Sequence, residues 1–592
     1  MTYKGLFHII LFLFVFQAEG QNSRLAQQFY SQGEFDKAAV EYKNLWNKFP
    51  YHKDYFYKLV DCYQKQGLYQ KAADLLQQKK EQKNPVSQVW LGYNFLLQKD
   101  SIRAQRTFDK AIKAALKSTI SVFQTGKALQ EIYQLDKALE LYTSALEKYP
   151  RSTFDLEMAR IYAEKNRPAK MMSAYMNYLD KYPENLSRVR YLITPYLSNA
   201  NGNVNLDIIR LELIRRIKQK PEAAYYRLLE WLYIQEKNYR KAFYQLRSLY
   251  SKKEAGIDEI YYLAQKALEN KKTETARLIL SYVIEHSDKP FLIEKAKLSL
   301  LEMDLKNKFD SDASLQEQFN QYFKEKWRPD NRTRLFILYA DFLTFHKNTP
   351  EEAQKELKKL LAKPLPRFME AEVKLKQADI AVQQGFFNQA LLLYTQVQLD
   401  FPNHSLGHLA TYKIAQVSFF KGDIDWAHNQ LKVIKSVHSD LISNDAIDLD
   451  MLIINNKEEN DSLQTGLKQL AKVKYLIYKN QRKEALNILD SIRTNFKGQN
   501  IYDDALWMQA LLYEQNKNYH QAADNYKEII NLPNEIIYKD EAIFRLAKLY
   551  ENELDRPEEA KKLYKQIIIE YPSSFWFPDA QRAYRRLRGD DL

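Results

Sequence analysis

His404 and His408, four residues apart in the stretch NHSLGH, form the most metal-like pair in the chain. At the start of a helix, that spacing puts both imidazoles on one face. One pair still lacks the third and fourth ligands that a zinc site needs. Asp445, Asp448 and Asp450 also lie close together, but without the glycine and terminal glutamate of a calcium loop. They read as a solvated helix start. Cys62 is the only cysteine, so no internal disulfide is possible, and beside Tyr63 it reads as a small buried hydrophobe. The phosphate-binding Gly-rich loop, the dinucleotide fingerprint, G-x-S-x-G and H-E-x-x-H are all absent. A glycan hydrolase would need two carboxylates flanking a cleft, and the repeat positions described next account for the chain without one. No enzyme activity, metal, cofactor or small-molecule substrate is therefore expected.

The pattern that does recur is structural. Ala38 and Ala72 are 34 residues apart, as are Ala104 and Ala138, and Ala242 and Ala276. Ala390, Ala427, Ala485, Ala522 and Ala560 continue the series with steps of 37 or 38 between neighbours such as 485, 522 and 560. Turn or helix-stop residues keep step with them, including Gly33, Pro50, Pro150, Pro402, Pro533 and Pro572. A period of about 34 residues is the mark of stacked helix–turn–helix units. Small residues on both helices let two backbones approach, aromatics fill the remaining space, and proline ends the second helix. Glycine is scarce, at 14 in 592 residues, and alternating strand patterns are missing. The expected fold is all-α. A chain this long exceeds one core but suits an array of stacked units.

Trp90-Leu91-Gly92 with Phe95, then Ala104 and Phe108, follow the W-x2-L-G-x2-Y…A-x3-F pattern. Leu25, Phe29, Ala38, Tyr42 and Pro50 repeat it, as do Gly126, Ala138, Tyr142 and Pro150. The sequence resembles the tetratricopeptide repeat family over most of its length. Units ending in EYPSS resemble the exported bacterial envelope subset, which includes outer-membrane-assembly and Tol-Pal-associated proteins. The resemblance implies a right-handed α-solenoid of stacked antiparallel helix pairs with a C-terminal capping helix. It also implies a concave face lined by the first helices. Counting from the anchors, the ligand-facing positions there are Tyr57, Val89, Phe123 and Leu156, then Leu375, Tyr412, Trp507 and Phe544. Such a line could grip an extended peptide or a helix. The family's clamp for C-terminal carboxylates is not matched, since Gln27 stands where its first asparagine belongs.

The expected organisation is a signal peptide over 1–20, regular repeats over 21–185, divergent helical repeats over 186–345, repeats over 346–454, and a last array with its cap over 463–592. Lys4, the apolar run Leu6–Phe16 and Ala18-Glu19-Gly20 before Gln21 make up the signal. Gln21 rather than cysteine after the cut argues against a lipid anchor. No other run is long enough to span a bilayer. The net charge of +14 is spread along helix faces and would suit acidic partners or anionic envelope surfaces. Nucleic acid fits an exported chain poorly. The functional expectation is a non-catalytic periplasmic scaffold of an envelope complex, binding protein partners, with an exported-polypeptide carrier as the alternative.

Overall fold

The computed structural model describes residues 23–590, apart from 79, 198–201, 308–310, 436–441, 458–463 and 534–535. The signal segment lies outside these residues, and so, wholly or partly, do the expected loops at 199–203, 310–312 and 455–462. Among the described residues the chain is helical and has no strand. It separates into two compact units, 1–254 and 255–592, with the division inside the stretch expected to be divergent. In each unit, consecutive helices pack in antiparallel pairs, such as Pro85–Leu97 with Ser101–Ala115 in the first and Ile501–Gln515 with Tyr519–Asn531 in the second.

The pairs close on the alanines. Ala38, Ala72, Ala104, Ala138, Ala242, Ala276, Ala390, Ala427, Ala485, Ala522 and Ala560 are all fully buried. A second small residue sits on the first helix in two of the pairs. Gly92 faces Phe108, and a Cβ at Gly92 would stand 2.6 Å from that ring. Gly126 faces Tyr142 in the same way. The aromatic of the second helix thus lies directly on the backbone of the first, where even a methyl group would collide with it.

Where the turn inside a pair is described, it is as regular as the packing. One residue adopts a left-handed conformation, among them Gly33, Gly67, Lys99, Tyr133, Asn166, Lys237, Lys271, Gly385, Gly422, Asn480 and Lys517. The next amide reaches back over the helix end, as in Asp100 N to Phe95 O at 2.9 Å and Gln134 N to Leu129 O at 2.8 Å. That bond closes the helix C-terminus and aims the chain into the second helix.

One helix breaks the pairing. Ile442–Asn455 is inserted between the pair Ser405–Lys421/Ile424–Lys435 and the pair Thr465–Tyr478/Arg482–Asn495. The first helices on either side still touch each other, and the insert packs mainly on Ile424–Lys435. The chain ends in Phe577–Arg588, which buries Ala580 and Ala583 and is stopped by left-handed Gly589. This is the expected capping helix.

Replacing Ala104 by Leu should force its helix pair apart and lower stability by ~1–3 kcal/mol through overpacking. Hydrogen exchange should place most of the damage in the pairs next to it. A melting curve identical to that of the parent would refute this packing.

Candidate functional site

The eight apolar positions expected to face a groove do not form one line. Val89 is fully buried, and Leu156 and Leu375 are buried as well. Trp507 and Phe544 keep only 9% and 8% exposure. The groove assignment is therefore corrected for these five residues. Each ring has a partner from the next repeat of the same unit: Trp507 stacks on Tyr538 at 4.8 Å and 6°, and Phe544 on Trp576 at 4.6 Å and 16°. The counting placed them on the inward side of the first helix. At Trp507 and Phe544 the next repeat's entry segment brings an aromatic over that side and covers it. Tyr57, Phe123 and Tyr412 remain open to clefts.

In the first unit, Tyr57 and Phe123 lie in one cleft of about 730 Å³. It runs across three successive first helices, Lys53–Lys65, Pro85–Leu97 and Thr119–Glu131. Its floor is aromatic, with Tyr57 stacked on Trp90 at 6.2 Å and 14°. Phe123 is 48% exposed and Ile120 is 70% exposed. The rim is charged by Lys53, Asp54, Lys127 and Glu131.

A polar brace holds the floor. Ser87 Oγ donates to Glu81 at 2.6 Å, and Asn84 Nδ2 donates to Tyr57 Oη at 3.1 Å. Burial pushes the Glu81 carboxyl up, but hydrogen bonds from Lys53, Ser87 and Asn84 outweigh it and hold the group below its usual range. Burial raises the Tyr57 phenol, so it stays neutral. Glu131 is also raised by burial.

In the second unit, much of the inner side is filled by the chain itself. Tyr475 Oη donates to Val382 O and Tyr478 Oη to Asp379 O, both at 3.0 Å, reaching back across two helix pairs. Phe345, Phe387 and Phe420 pack around these two rings. Beneath them lies a chain of ion pairs: Lys376 to Asp341 at 2.6 Å and Lys413 to Asp379 at 3.2 Å. Burial opposes the charge on Asp379, but Lys413 and Lys376 more than compensate and lower its pKa. This cluster is internal bracing.

Two of the cavities in this unit hold clustered charges. One, of about 420 Å³, is bounded by the inserted helix and takes in Tyr412, Asp445, Asp448 and Lys474. The other, of about 510 Å³, holds Asp503, Asp504 and Glu528. Asp504 accepts from Tyr538 Oη at 2.8 Å and from Asn456 Nδ2 at 2.5 Å. Glu528 takes Arg493 at 2.7 Å. Burial, with Asp504 alongside, pushes the Asp503 carboxyl up to about 6.

The metal-like candidates have other uses. His404 Nδ1 caps the helix Ser405–Lys421 by accepting from Leu406 N. No group of three metal-ligating side chains occurs among the described residues. Asp445 and Asp448 are exposed, but Asp450 is not part of a solvated helix start. It is fully buried, with His428 Nδ1 2.5 Å away. Cys62 is buried, and burial pushes its thiol up to about 12.

Lys474 and the inserted helix were not anticipated. The available signal was the spacing from Ala427 to Ala485, which is 58 residues where one repeat takes 37 or 38. The surplus is enough for one more helix.

Three segments match the family model of the tetratricopeptide repeat: 121–152, 504–534 and 541–574. They coincide with the helix pairs Thr119–Glu131/Leu135–Lys148, Ile501–Gln515/Tyr519–Asn531 and Lys539–Asn552/Pro557–Glu570. These three segments carry tetratricopeptide repeats. No curated protein matches it. Among solved structures, the Naa15/Naa10 complex bound to HypK-THB is 12% identical, with 92% of this chain and 99% of that chain covered and a TM-score of 0.25. The APC/C hetero-tetramer Cut9-Hcn1 is 13% identical, with 96% of each chain covered and a TM-score of 0.21. At such scores the likeness carries no functional argument. No helix among the described residues is long and apolar enough to cross a membrane.

Since Trp507 and Phe544 join successive tetratricopeptide repeats, replacing both by Ser should remove several kcal/mol of stability. Circular dichroism should show early melting of the C-terminal repeats. Unchanged melting would return these residues to the surface.

Proposed function

We propose that this protein is a non-catalytic scaffold that binds protein partners within an exported bacterial envelope complex. The cleft across Tyr57, Trp90 and Phe123 carries the reading. Tetratricopeptide repeats serve protein–protein interaction, and here three successive first helices offer an aromatic floor under a charged rim. Exposed aromatics in a pocket are the side chains that dominate binding energy when covered. Arrays of this kind are typically non-catalytic.

The scaffold reading is preferred to a polypeptide carrier on one specific observation. A carrier calls for a continuous exposed aromatic stripe, and the burial of Val89, Trp507 and Phe544 interrupts it. Discrete clefts with polar rims suit fixed partners better. The envelope location rests on the Lys4, Leu6–Phe16 and Ala18-Glu19-Gly20 pattern, with the net charge of +14 suited to acidic partners.

Two measurements test this. Ile120→Ser with Phe123→Ser should leave the melting temperature nearly unchanged, because exposed apolar side chains contribute little to folding. The same variant should lose most of the partner captured by affinity purification from crosslinked cells, and undiminished capture would refute the cleft. N-terminal sequencing of the native protein should begin within a residue or two of Gln21. A retained Met1 on cytosolic protein would refute export.

A further inference from the structure

The cavity beside the inserted helix is lined by charges of both signs. Lys474 lines it, and its ammonium makes no ion pair or hydrogen bond with any described residue. Burial lowers its pKa, while Asp504, Asp448 and Asp445 pull the other way. Asp504 is already engaged by Asn456 and Tyr538. Asp445 and Asp448 also line it, exposed and one turn apart on the helix Ile442–Asn455, and neither makes a hydrogen bond or ion pair with a described residue. Opposite charges therefore line one cavity without closing on each other. Between them the surface is apolar, formed by Phe420, Leu449, Met508 and Leu512. Gln515 and Tyr412, whose hydroxyl accepts from Gln416 Nε2 at 3.4 Å, add hydrogen-bonding groups from neighbouring first helices.

An unpaired ammonium in a sheltered site is costly and is relieved by an anion placed against it. An anion alone would meet the two free carboxylates. A cation alone would satisfy the carboxylates and leave Lys474 as it is. A ligand with both charges answers both groups. A volume near 420 Å³ falls within the size range of small-molecule sites, about 300–1,000 Å³. A long polypeptide presents only one terminus at a time, so the fit is to a short free molecule. We propose that this cavity binds a small zwitterion with apolar side chains, an amino acid or short peptide. Its ammonium faces Asp445 and Asp448 and its carboxylate faces Lys474.

The insert makes the site possible. Without it, the first helices Ser405–Lys421, Thr465–Tyr478 and Ile501–Gln515 would leave an open groove. The insert adds a wall and both free carboxylates. The site is separate from the protein-binding cleft of the first unit, so either reading can fail alone.

Calorimetric titration of the whole protein tests the proposal, with free leucine, leucyl-leucine, N-acetyl-leucyl-leucine and leucyl-leucine amide as probes. At least one of the two free zwitterions should bind, and which one binds separates amino acid from peptide. Blocking either end should weaken binding roughly tenfold or more, the loss of one charge-assisted contact. Lys474→Met should erase the difference between acid and amide. Asp445→Asn with Asp448→Asn should erase the difference between free and acetylated amine. Circular dichroism confirms that the variants are folded, and should one fail to fold, the blocked probes on the parent protein decide alone. Equal binding of free and blocked forms, or no saturable binding of either free zwitterion, would overturn the proposal.

Discussion

Everything in this molecule depends on how closely two helices can lie. The fully buried alanines set that distance, and Gly92 and Gly126 shorten it further, so that Phe108 and Tyr142 rest on bare backbone. A close pair has little interior of its own. It must bury its remaining apolar surface against the next pair, so units stack rather than fold singly. The aromatic richness of the chain follows from this. Tyr142, Tyr175, Tyr394, Tyr526 and Tyr564 are among the largest fully buried side chains. Burial raises the pKa of each phenol, so these groups work as neutral filling with a polar tip. Glu514 and Glu551 receive those tips from Tyr526 and Tyr564, which ties a second helix to its own first helix.

The sequence exposed the helix pairs because a methyl side chain at a fixed period has one physical cause and leaves a plain trace. Ala38 through Ala560 could be read without coordinates. Faces were harder to read. Trp507 and Phe544 sit at positions where the first helix looks inward, but whether that side stays open depends on what the following segment lays over it. Tyr538 and Trp576 lie 31 and 32 residues further on, beyond the reach of any helical pattern. The turns were half visible. Gly33, Gly67, Gly385 and Gly422 announce a left-handed residue, but Lys99, Tyr133, Lys237 and Lys517 adopt the same conformation with nothing in their chemistry to show it. Long-range filling by Tyr475 and Tyr478 left no local trace at all.

The two units place their openings differently. In the first, three successive first helices share one broad cleft with an aromatic floor. In the second, tyrosines and ion pairs occupy much of the inner side, and the inserted helix bounds a smaller cavity lined by charges of both signs. Broad, rim-charged surfaces suit macromolecules, and small, partly enclosed ones suit compact ligands. One repeating architecture thus offers two scales of recognition.

The left-handed turns also bear on mechanics. Placing a non-glycine residue in that conformation costs on the order of 1 kcal/mol. Lys99, Tyr133, Asn166 and Lys237 in the first unit, and Lys271, Asn480 and Lys517 in the second, each carry such a cost. The strain is spread as many small loads along the chain, each held down by the packing of its own pair. A pair that loses a neighbour keeps its load and loses part of what restrains it. Under tension or protease attack, such an array should therefore come apart from its ends, one hairpin after another. The cap Phe577–Arg588 then acts as a latch that delays the first step.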